Sequence, residues 1–537
     1  MKKASEERPS IPVAPLAGPA YGAVIRRLPQ SPVRQCGRRA SPAAAAGYAA
    51  SHHSSRGTPG IRRFPGPERA AQDGHPSPAQ RREITEKENR MNTEEKQVAR
   101  DVSGDYVTSA IPQEERKSSA NIFATVAGWI ICLSTMLTGG ALAMGLDFKS
   151  ALIATLVGMA ILTVISAPLA ALGGKFGVST TMITRPVFGL FGSKIFGLIV
   201  AILNGIGWFA FQAAFFALTM QQLFPGSFLD NLVIGSIIGG FFMTLTALYG
   251  YKGIAILSFL AVPLIIILSA FGGIAAVEVG GGIGALVAAQ PMADGISISS
   301  GIAMVVGNAV LGSIILSDVS RYAKNAKTGA VAASAGYLVG GVFTIICGLA
   351  MAYVANVPGI GSTPNLPLVM VTLGLGVGAL IILVLAQWTT NTANLYSASL
   401  GIGSFLNVPQ KYTVAIMGII GTLMAVFNVY EIFIPFLVAM GTALPPVGGV
   451  MLADYYVVHK LVKKEEYSFA PHTTYPQLNW LSVLVVVATA WLTSAPLKNM
   501  FMASFMSLVI AFIVYALVAS ILTKAGVKYT IGSATTK

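Results

Sequence analysis

The sequence predicts an all-α polytopic membrane protein with 12 transmembrane helices, arranged as two inverted five-helix units plus two additional helices. Three observations support this fold class. The 537-residue chain is 54% hydrophobic and only 11% charged, against about 25% charged residues in soluble domains. Twelve apolar spans near the ~20 residues that a membrane helix needs follow one another from residue 119. Two of these spans, five apart, are interrupted by small and polar residues, as in transporters built from inverted repeats.

Residues 1–90 differ in composition from the rest of the chain. They hold 12 of the 28 prolines, and they use 13 Arg against 3 Lys where residues 91–537 use 4 Arg against 16 Lys. Such a composition predicts disorder. We favour an upstream extension that is not part of the working protein, with Met91 as the true start. An organelle transit peptide and a functional disordered tail are the open alternatives.

The remaining chain divides by hydropathy. Residues 91–118 form a predicted N-terminal tail, 119–458 a ten-helix transport core, 459–476 a loop, 477–523 two additional helices, and 524–537 a C-terminal tail. The twelve spans lie at 119–146, 149–174, 193–222, 230–251, 253–278, 295–318, 328–355, 371–405, 411–427, 429–458, 477–496 and 499–523.

Loop charges support this count. With the N-terminus inside, the inner loops and tail hold 14 Lys and Arg, whereas the outer loops hold only Lys149 and Lys498. Cytoplasmic loops carry such an excess of positive charge. A missed helix would disrupt the alternation, so we expect both termini to be cytoplasmic. Two consecutive units of five spans then have opposite orientations, which is an inverted repeat.

The two interruptions are the first functional signal. Span 1 carries Thr138-Gly139-Gly140, and span 6 carries Gly307-Asn308 and Gly312-Ser313. Non-helical backbone at membrane depth is tolerated only where protein covers it or where it lines a cavity. We therefore expect unwound helices and a binding site near the middle of the bilayer.

Span 8 contains a dense polar cluster from Gln387 to Asn394. Threonine hydroxyls in a membrane helix can bond back to the preceding turn or join neighbouring helices. The adjacent hydroxyls of Thr389 and Thr390 also suit a hard cation such as Na⁺, since hard cations prefer oxygen ligands. Both interpretations are open from the spacing alone.

Span 3 places Trp208 after Asn204 and two glycines. The side chain is an interfacial anchor or a packing residue, or else a flat surface on which a planar ligand stacks.

At the end of span 6, Asp318 is expected to be an interface or gate residue rather than a proton carrier. Pro445 and Pro446 are expected to break span 10 and to form a hinge.

Several functional classes are disfavoured. The sequence contains no nucleotide-binding P-loop, no metal-ligand cluster and no nucleophile–base pair, so we predict neither an enzyme nor an ATP-driven pump. A channel usually shows rings of pore-lining charge, and a sensor needs a larger output domain than this tail. Proton relays usually need carboxylates within the membrane, which are scarce here. The basic charge does not indicate a nucleic-acid partner, and nothing implies an oligomer.

The chain resembles the nucleobase–cation symporters of the purine/cytosine permease type over roughly residues 118–460. The matching strings are Thr138-Gly139-Gly140 with Gly145-Leu146, Gly174-Lys175-Phe176-Gly177, Gly207-Trp208-Phe209, Ala289-Gln290-Pro291, Arg321 with Asn325-Ala326-Lys327, Trp388-Thr389-Thr390-Asn391, Leu395-Tyr396, and Pro445-Pro446-Val447-Gly448-Gly449 with Ala453-Asp454-Tyr455.

The resemblance implies a leucine-transporter-like fold with a five-plus-five inverted repeat. It also implies that the protein imports a nucleobase-like heterocycle together with Na⁺ across the bacterial cytoplasmic membrane, with cytosine as the first candidate. Purines, a hydroxymethylpyrimidine, hydantoin- or allantoin-like compounds and proton coupling are the alternatives. No resident cofactor is expected. The implied Na⁺ ligands are Gly128, Ile131, Ala386, Thr389 and Thr390. The implied substrate contacts are Trp208, Cys132, Ala309, Leu311, Gly312, Gln387 and Asn391. The implied hinge and gate residues are Gly139, Gly140, Pro445, Pro446 and Asp318.

Three positions depart from the family pattern. Ala309 replaces an aromatic that sandwiches the base, Gly205 replaces a glutamine near it, and Ala386 replaces the asparagine that opens the span 8 motif. Ala386 retains a carbonyl for Na⁺, so the ion site is expected to persist. The base pocket is expected to have extra room for a larger base or another heterocycle.

Overall fold

The structure is a computed structural model that describes residues 109–536, apart from positions 250, 294, 358, 360–362, 407, 498 and 499. The predicted extension and the start at Met91 lie outside the described residues.

Capping side chains fix where many of the helices begin. The Ser118 hydroxyl accepts a hydrogen bond from the N–H of Asn121, and the Asp147 carboxylate accepts one from Ser150. Each bond satisfies an N–H group that the first helical turn leaves without a partner.

Seven helices cover the first five predicted spans. They are α1 (Ser119–Ile130), α2 (Leu133–Gly145), α3 (Phe148–Phe176), α4 (Thr180–Ile202), α5 (Phe209–Leu223), α6 (Leu232–Leu248) and α7 (Tyr251–Val279). A π-helical segment, Leu203–Trp208, joins α4 to α5. Gly189 has a φ of 84° and divides α4 into two parts.

The second half is built from shorter pieces. Its helices are α8 (Ile283–Val287), α9 (Ile298–Ile314), α10 (Ser317–Ser320), α11 (Ala326–Thr328), α12 (Ser334–Ala355), α13 (Leu366–Thr372), α14 (Gly376–Leu406), α15 (Gln410–Val426), α16 (Phe433–Ala443) and α17 (Pro445–Ala453). Helices α18 (Trp480–Ser494) and α19 (Ala503–Lys524) follow, with strands β1 (Thr474–Asn479) and β2 (Thr530–Thr535) beside them.

The helix lengths bear on the predicted span count. Among the described residues, eight helical segments are long and apolar enough to cross a membrane, or nine if the bent pair α1–α2 is one span. Three shorter apolar helices, α6, α15 and α18, lie at predicted spans 4, 9 and 11. The 17 residues of α6 extend about 25 Å, less than the ~30 Å hydrocarbon core. A multi-helix membrane fold is therefore present, while twelve crossings and the inverted repeat stay predictions.

The interruption of span 1 lies earlier than the sequence analysis placed it. Helices α1 and α2 meet at Ile131 and Cys132 with a bend of 54°, and α2 then continues through Gly139 and Gly140. A Cβ atom at Gly139 would overlap the carbonyl oxygen of Ile345 on α12. These glycines therefore permit close helix packing, and their assignment as the broken segment is wrong.

Span 6 differs from expectation in the same way. Helix α9 continues through Gly307 and Gly312 to Ile314, so the break predicted within that stretch is absent there. The turn comes instead at Ile315 and Leu316, before α10. A Cβ atom at Gly307 would overlap the carbonyl oxygen of Leu437 on α16. The small residues here lie at a close helix crossing. Composition alone does not distinguish a close crossing from a helix break, because both are rich in small residues.

Span 10 breaks where its prolines predict. Helix α16 ends at Ala443, and α17 begins at Pro445, with Pro446 at the next position. Proline suits the first turn of a helix because it lacks an N–H group that would have no partner there anyway. The boundary predicted at Pro445 is confirmed, and movement about it stays a prediction.

The predicted final loop and tail form a small sheet, which corrects the all-α assignment. Strands β1 and β2 pair antiparallel, with Thr474 opposite Thr535. Strand β1 packs against α4 at Gly189, where a Cβ atom would lie 2.6 Å from the Gln477 carbonyl oxygen. Below this sheet the buried Asp454 carboxylate accepts hydrogen bonds from the hydroxyls of Tyr467 and Tyr515. These bonds join the chain after α17 to α19.

Substitution of Gly307 tests the close crossing of α9 and α16. We expect Gly307→Ala to lower the free energy of unfolding by about 1–3 kcal/mol, because an added methyl in a tight contact forces the backbones apart. Gly197→Ala is the matched control, since a Cβ atom at Gly197 meets nothing within 4 Å. Thermal unfolding in detergent measures both variants. Equal melting temperatures for Gly307→Ala and the wild type would contradict the packing assigned here.

Candidate functional site

Two adjoining cavities lie beside the break between α1 and α2. Cavity 1 has a volume of about 330 Å³ and lies among α1, α7 and α14. All five predicted Na⁺ ligands line it: Gly128, Ile131, Ala386, Thr389 and Thr390. Cavity 2 has a volume of about 90 Å³ and lies among α1, α2, α5, α9 and α14. The two cavities share four lining residues, Trp129, Cys132, Thr390 and Asn394.

The break leaves backbone oxygens available at cavity 1. In an unbroken helix the N–H of Cys132 would bond to the Gly128 carbonyl, but here it bonds to the Ile130 carbonyl at 3.0 Å. The helical pattern resumes when the N–H of Met136 bonds to the Cys132 carbonyl at 3.2 Å. The Gly128 carbonyl thus loses the partner that a continuous helix would give it, and Gly128 lines cavity 1. Non-helical backbone at membrane depth is tolerated where it lines a cavity.

The two threonines of α14 differ in their bonding. The Thr389 hydroxyl donates to the carbonyls of Leu385 and Ala386, each at 3.0 Å. Its oxygen retains lone pairs for a cation. The Thr390 hydroxyl has no hydrogen bond to any described residue and lines both cavities. By contrast, Thr392 bonds back to the Trp388 carbonyl and lines neither cavity.

Cavity 2 has an aromatic wall. Trp208 ends the π-helical segment, and π segments within helices are frequent at functional sites. Its ring is 7% exposed and meets Phe436 edge-on at a centroid distance of 5.5 Å, with Phe433 at 6.3 Å. The chain after α15 therefore fixes the orientation of the indole. Trp208 is both a packing residue and part of the cavity lining.

Two amide oxygens of cavity 2 are buried without a partner. The Asn308 Nδ2 group donates to the Thr135 hydroxyl at 3.1 Å, while its Oδ1 has no partner among the described residues. The Gln212 side chain is 1% exposed, and its Oε1 is likewise unpartnered. A buried acceptor without a hydrogen bond costs about 1–3 kcal/mol. Both residues line cavity 2, so its wall holds two amide oxygens without a hydrogen-bond partner among the described residues.

Only some of the predicted substrate contacts line the cavities. Leu311 and Gly312 line cavity 2, and Cys132 lines both cavities, whereas Ala309 and Gln387 line neither. The Ala309 carbonyl accepts a hydrogen bond from the Tyr337 hydroxyl. Gln387 donates to Thr219 at 3.0 Å.

Asn391 is also outside both cavities. Its Nδ2 donates to the Phe209 carbonyl at 3.1 Å and to the Met243 sulfur at 3.0 Å. These bonds connect α14 to α5 and α6, so the side chain acts between helices. Asn394, three residues further along α14, lines both cavities instead.

The expected extra room beside Trp208 is not found. A Cβ atom at Gly205 would overlap the side chains of Met417 and Ala398, so this position faces α14 and α15 rather than the cavity. From the same π segment Asn204 lines cavity 2, and from the following helix α5 Gln212 lines it. The π segment determines which residues of span 3 line the cavity, and the pattern of a single sequence does not reveal such a segment.

Asp318 contacts the start of α4. Its Oδ1 accepts a hydrogen bond from the N–H of Thr180 at 2.7 Å, and Arg321 donates to the Asp318 carbonyl at 3.1 Å. This arrangement joins the end of span 6 to the helix that precedes span 3, on the side predicted to be cytoplasmic. A gating role for Asp318 stays a prediction.

The site contains no formal charge. The described residues that line the two cavities include no Asp, Glu, His, Lys or Arg. The oxygen atoms of the residues that line cavity 1 therefore belong to neutral carbonyl, amide and hydroxyl groups. The residues implied as substrate contacts did not include Asn204, Gln212, Asn308 or Asn394, although three of these four belong to the polar motifs of spans 3, 6 and 8.

Comparisons with known proteins agree with this arrangement. Residues 110–517 match the model of the family described as permease for cytosine/purines, uracil, thiamine, allantoin. Cytosine permease of Escherichia coli (strain K12) is 31% identical over 377 residues, which cover 70% of this chain and 85% of the relative. Hydantoin permease of Microbacterium maritypicum is 25% identical over 354 residues, which cover 59% of this chain and 70% of that protein.

One solved structure supports the fold independently. The inward-facing conformation of Mhp1 matches with a TM-score of 0.66 at 19% identity, over 78% of this chain and 94% of that chain. The match over residues 110–517 spans more than half of the sequence. The chain therefore belongs to the family of permeases for cytosine/purines, uracil, thiamine and allantoin, and it is a multi-pass membrane transporter rather than an enzyme.

Proposed function

We propose that this protein imports a single-ring, nucleobase-like heterocycle together with Na⁺ by alternating access across the bacterial cytoplasmic membrane, with both termini in the cytoplasm. The observation that carries the proposal is the junction of the two cavities at the α1–α2 break. Carbonyls and hydroxyls surround cavity 1, while an indole and unpartnered amides surround cavity 2. Thr390 and Asn394 face both, so the two ligands would share part of their binding surface.

Neutral oxygen ligands favour Na⁺ as the coupling ion. Hard cations bind carbonyl and hydroxyl oxygens, and Gly128, Ile131, Ala386, Thr389 and Thr390 bring such groups together at cavity 1. A proton would need a carrier with a suitable pKa, usually a carboxylate within the membrane. No carboxylate belongs to the described lining of either cavity.

The small volume of cavity 2, about 90 Å³, supports a single ring ahead of a purine as the first candidate. The oxygens of Gln212 and Asn308 call for ligand N–H groups, which cytosine and hydantoin both carry. The relatives at 31% and 25% identity are named as cytosine and hydantoin permeases. We place cytosine first and hydantoin-like compounds second.

Helix packing is consistent with an inverted five-plus-five repeat. Helix α2 of span 1 packs against α12 of span 7, and α9 of span 6 packs against α3 of span 2. In a five-plus-five repeat span 1 corresponds to span 6 and span 2 to span 7, so the contact between spans 1 and 7 is the counterpart of the contact between spans 6 and 2. Alternating access in such folds moves one bundle against the other around a fixed site.

Uptake into proteoliposomes tests the function. We expect labelled cytosine or hydantoin to accumulate with an inward Na⁺ gradient, and adenine and guanine to accumulate far less. A K⁺ gradient of equal size controls for the ion, and an imposed pH gradient controls for proton coupling. Accumulation driven by the pH gradient without Na⁺ would contradict the coupling, and exclusion of every heterocycle would contradict the substrate class.

Variants of α14 test the cation ligands. We expect Thr389→Ala and Thr390→Ala each to raise the half-saturating Na⁺ concentration about tenfold or more, since a polar contact to a charged group contributes about 1.5–3 kcal/mol. Thr392→Ala is the matched control because that hydroxyl bonds back to its own helix. Initial uptake rates over a Na⁺ titration provide the measurement. An unchanged Na⁺ requirement in both variants would remove these hydroxyls from the ion site.

Asparagine variants distinguish the two candidate amides. We expect Asn308→Ala to raise the substrate Kd about tenfold, because the loss of one buried hydrogen bond costs about 1–3 kcal/mol. We expect Asn391→Ala to lower the melting temperature with little change in Kd, since its bonds connect helices. Calorimetric titration and thermal unfolding measure the two quantities. The reverse pattern would show that Asn391 is the substrate contact.

A further inference from the structure

A large basic groove lies apart from the two cavities, on the side predicted to be cytoplasmic. Its volume is about 950 Å³. The first part of α4, the segment between Tyr467 and Pro471, and β1 form its walls. The groove is amphipathic: Arg185 and Lys194 supply positive charge, and Phe191, Phe469 and Tyr475 supply aromatic surface. No carboxylate belongs to the described residues that line it.

Arg185 is the unexplained group in this groove. Its side chain is partly buried, yet it makes no hydrogen bond or ion pair with any described residue. Every other described arginine has a partner: Arg116 donates to the Gly174 carbonyl at 2.8 Å, and Arg321 to the Asp318 carbonyl. Removing a charge from water without a partner is costly. A guanidinium presents paired N–H groups that match the oxygens of a phosphate.

The surroundings of Arg185 are those of a membrane interface. Gly189 turns the chain between Arg185 and the long apolar part of α4, so Arg185 lies at the end of a candidate membrane span. Phe191, just beyond the turn, is 50% exposed. Aromatic side chains are enriched at the headgroup level, and basic residues there attract the anionic lipids of the cytoplasmic leaflet.

We propose that this groove binds the phosphate headgroup of an anionic phospholipid. Arg185 and Lys194 contact the phosphate, and an acyl chain follows the exposed ring of Phe191 into the bilayer. The same lipid would touch β1 through Tyr475, and so would link the sheet formed by the chain's C-terminal segment to the start of α4. This site is independent of the proposed transport substrate.

Native mass spectrometry of the full chain tests the proposal. The protein is mixed in detergent with equal amounts of phosphatidylglycerol and phosphatidylcholine and is then released from the micelles in the mass spectrometer. The number of molecules of each lipid that stay bound to the protein is compared. We expect a preference for phosphatidylglycerol that falls about five- to tenfold in Arg185→Gln, since one basic contact to an anionic headgroup contributes about 1 kcal/mol or more. Lys411→Gln is the matched control, because Lys411 is an exposed lysine on the same predicted side and lies outside the groove. Lys194→Gln, at an exposed position, should give a smaller loss.

Three outcomes would overturn the proposal. An unchanged lipid preference in both Arg185→Gln and Lys194→Gln would remove the groove from lipid binding. Displacement of phosphatidylglycerol by inorganic phosphate alone would indicate a site for a free anion. A preference that appears only after Asp101 and Asp105 are changed to Asn would indicate that the chain's own acidic segment before Ser109 occupies the groove. None of these outcomes depends on which heterocycle is transported.

Discussion

The need to satisfy backbone polar groups inside a membrane governs this structure. An α-helix meets that need within itself, so each departure from helical bonding must be covered or must line a cavity. The break at Ile131 and Cys132 diverts the Cys132 N–H from the Gly128 carbonyl to the Ile130 carbonyl. Gly128 lines a cavity that Thr389 and Thr390 of α14 also line. One altered hydrogen bond thus accompanies the bend in span 1 and leaves a backbone oxygen of a cavity-lining residue without its helical partner.

Close helix packing accompanies the arrangement of cavity 2 beside cavity 1. Gly139 lets α2 approach the backbone of α12, and Gly307 lets α9 approach the backbone of α16. With these backbones close together, Asn308 of α9 reaches Thr135 of α2 at 3.1 Å. The hydrogen bond joins the two halves at the edge of cavity 2.

Patterns in the sequence predicted the class of protein better than they predicted the positions of the helix breaks. Hydropathy and loop charge indicated a multi-helix membrane protein, and the five residues that the family resemblance implied as Na⁺ ligands line one cavity. The breaks were assigned to Gly139 and Gly307 because small residues serve both unwound segments and close crossings. Only the three-dimensional neighbours, Ile345 and Leu437, decide between these roles.

The substrate side was harder to predict for a related reason. The π segment ending at Trp208 shifts the register of span 3, so Gly205 faces Met417 while Gln212 lines the cavity. The small sheet of β1 and β2 was also missed, since β2 lies in a short polar tail. Its pairing partners lie 51 to 61 residues earlier in the chain, from the pair Asn479–Thr530 to the pair Thr474–Thr535. Long-range pairing of this kind leaves little local signal.

Thermodynamic coupling between the cation and the heterocycle is the direct consequence of binding at two adjoining cavities. If the cation and the heterocycle share Thr390 and Asn394 at adjoining cavities, Na⁺ must lower the Kd of the heterocycle, and the heterocycle must lower the Kd of Na⁺ by the same factor. Calorimetric titration of the purified protein, with cytosine at several Na⁺ concentrations and with Na⁺ at several cytosine concentrations, measures both factors. We expect two equal factors, each greater than one. A heterocycle Kd that is independent of Na⁺ would contradict it.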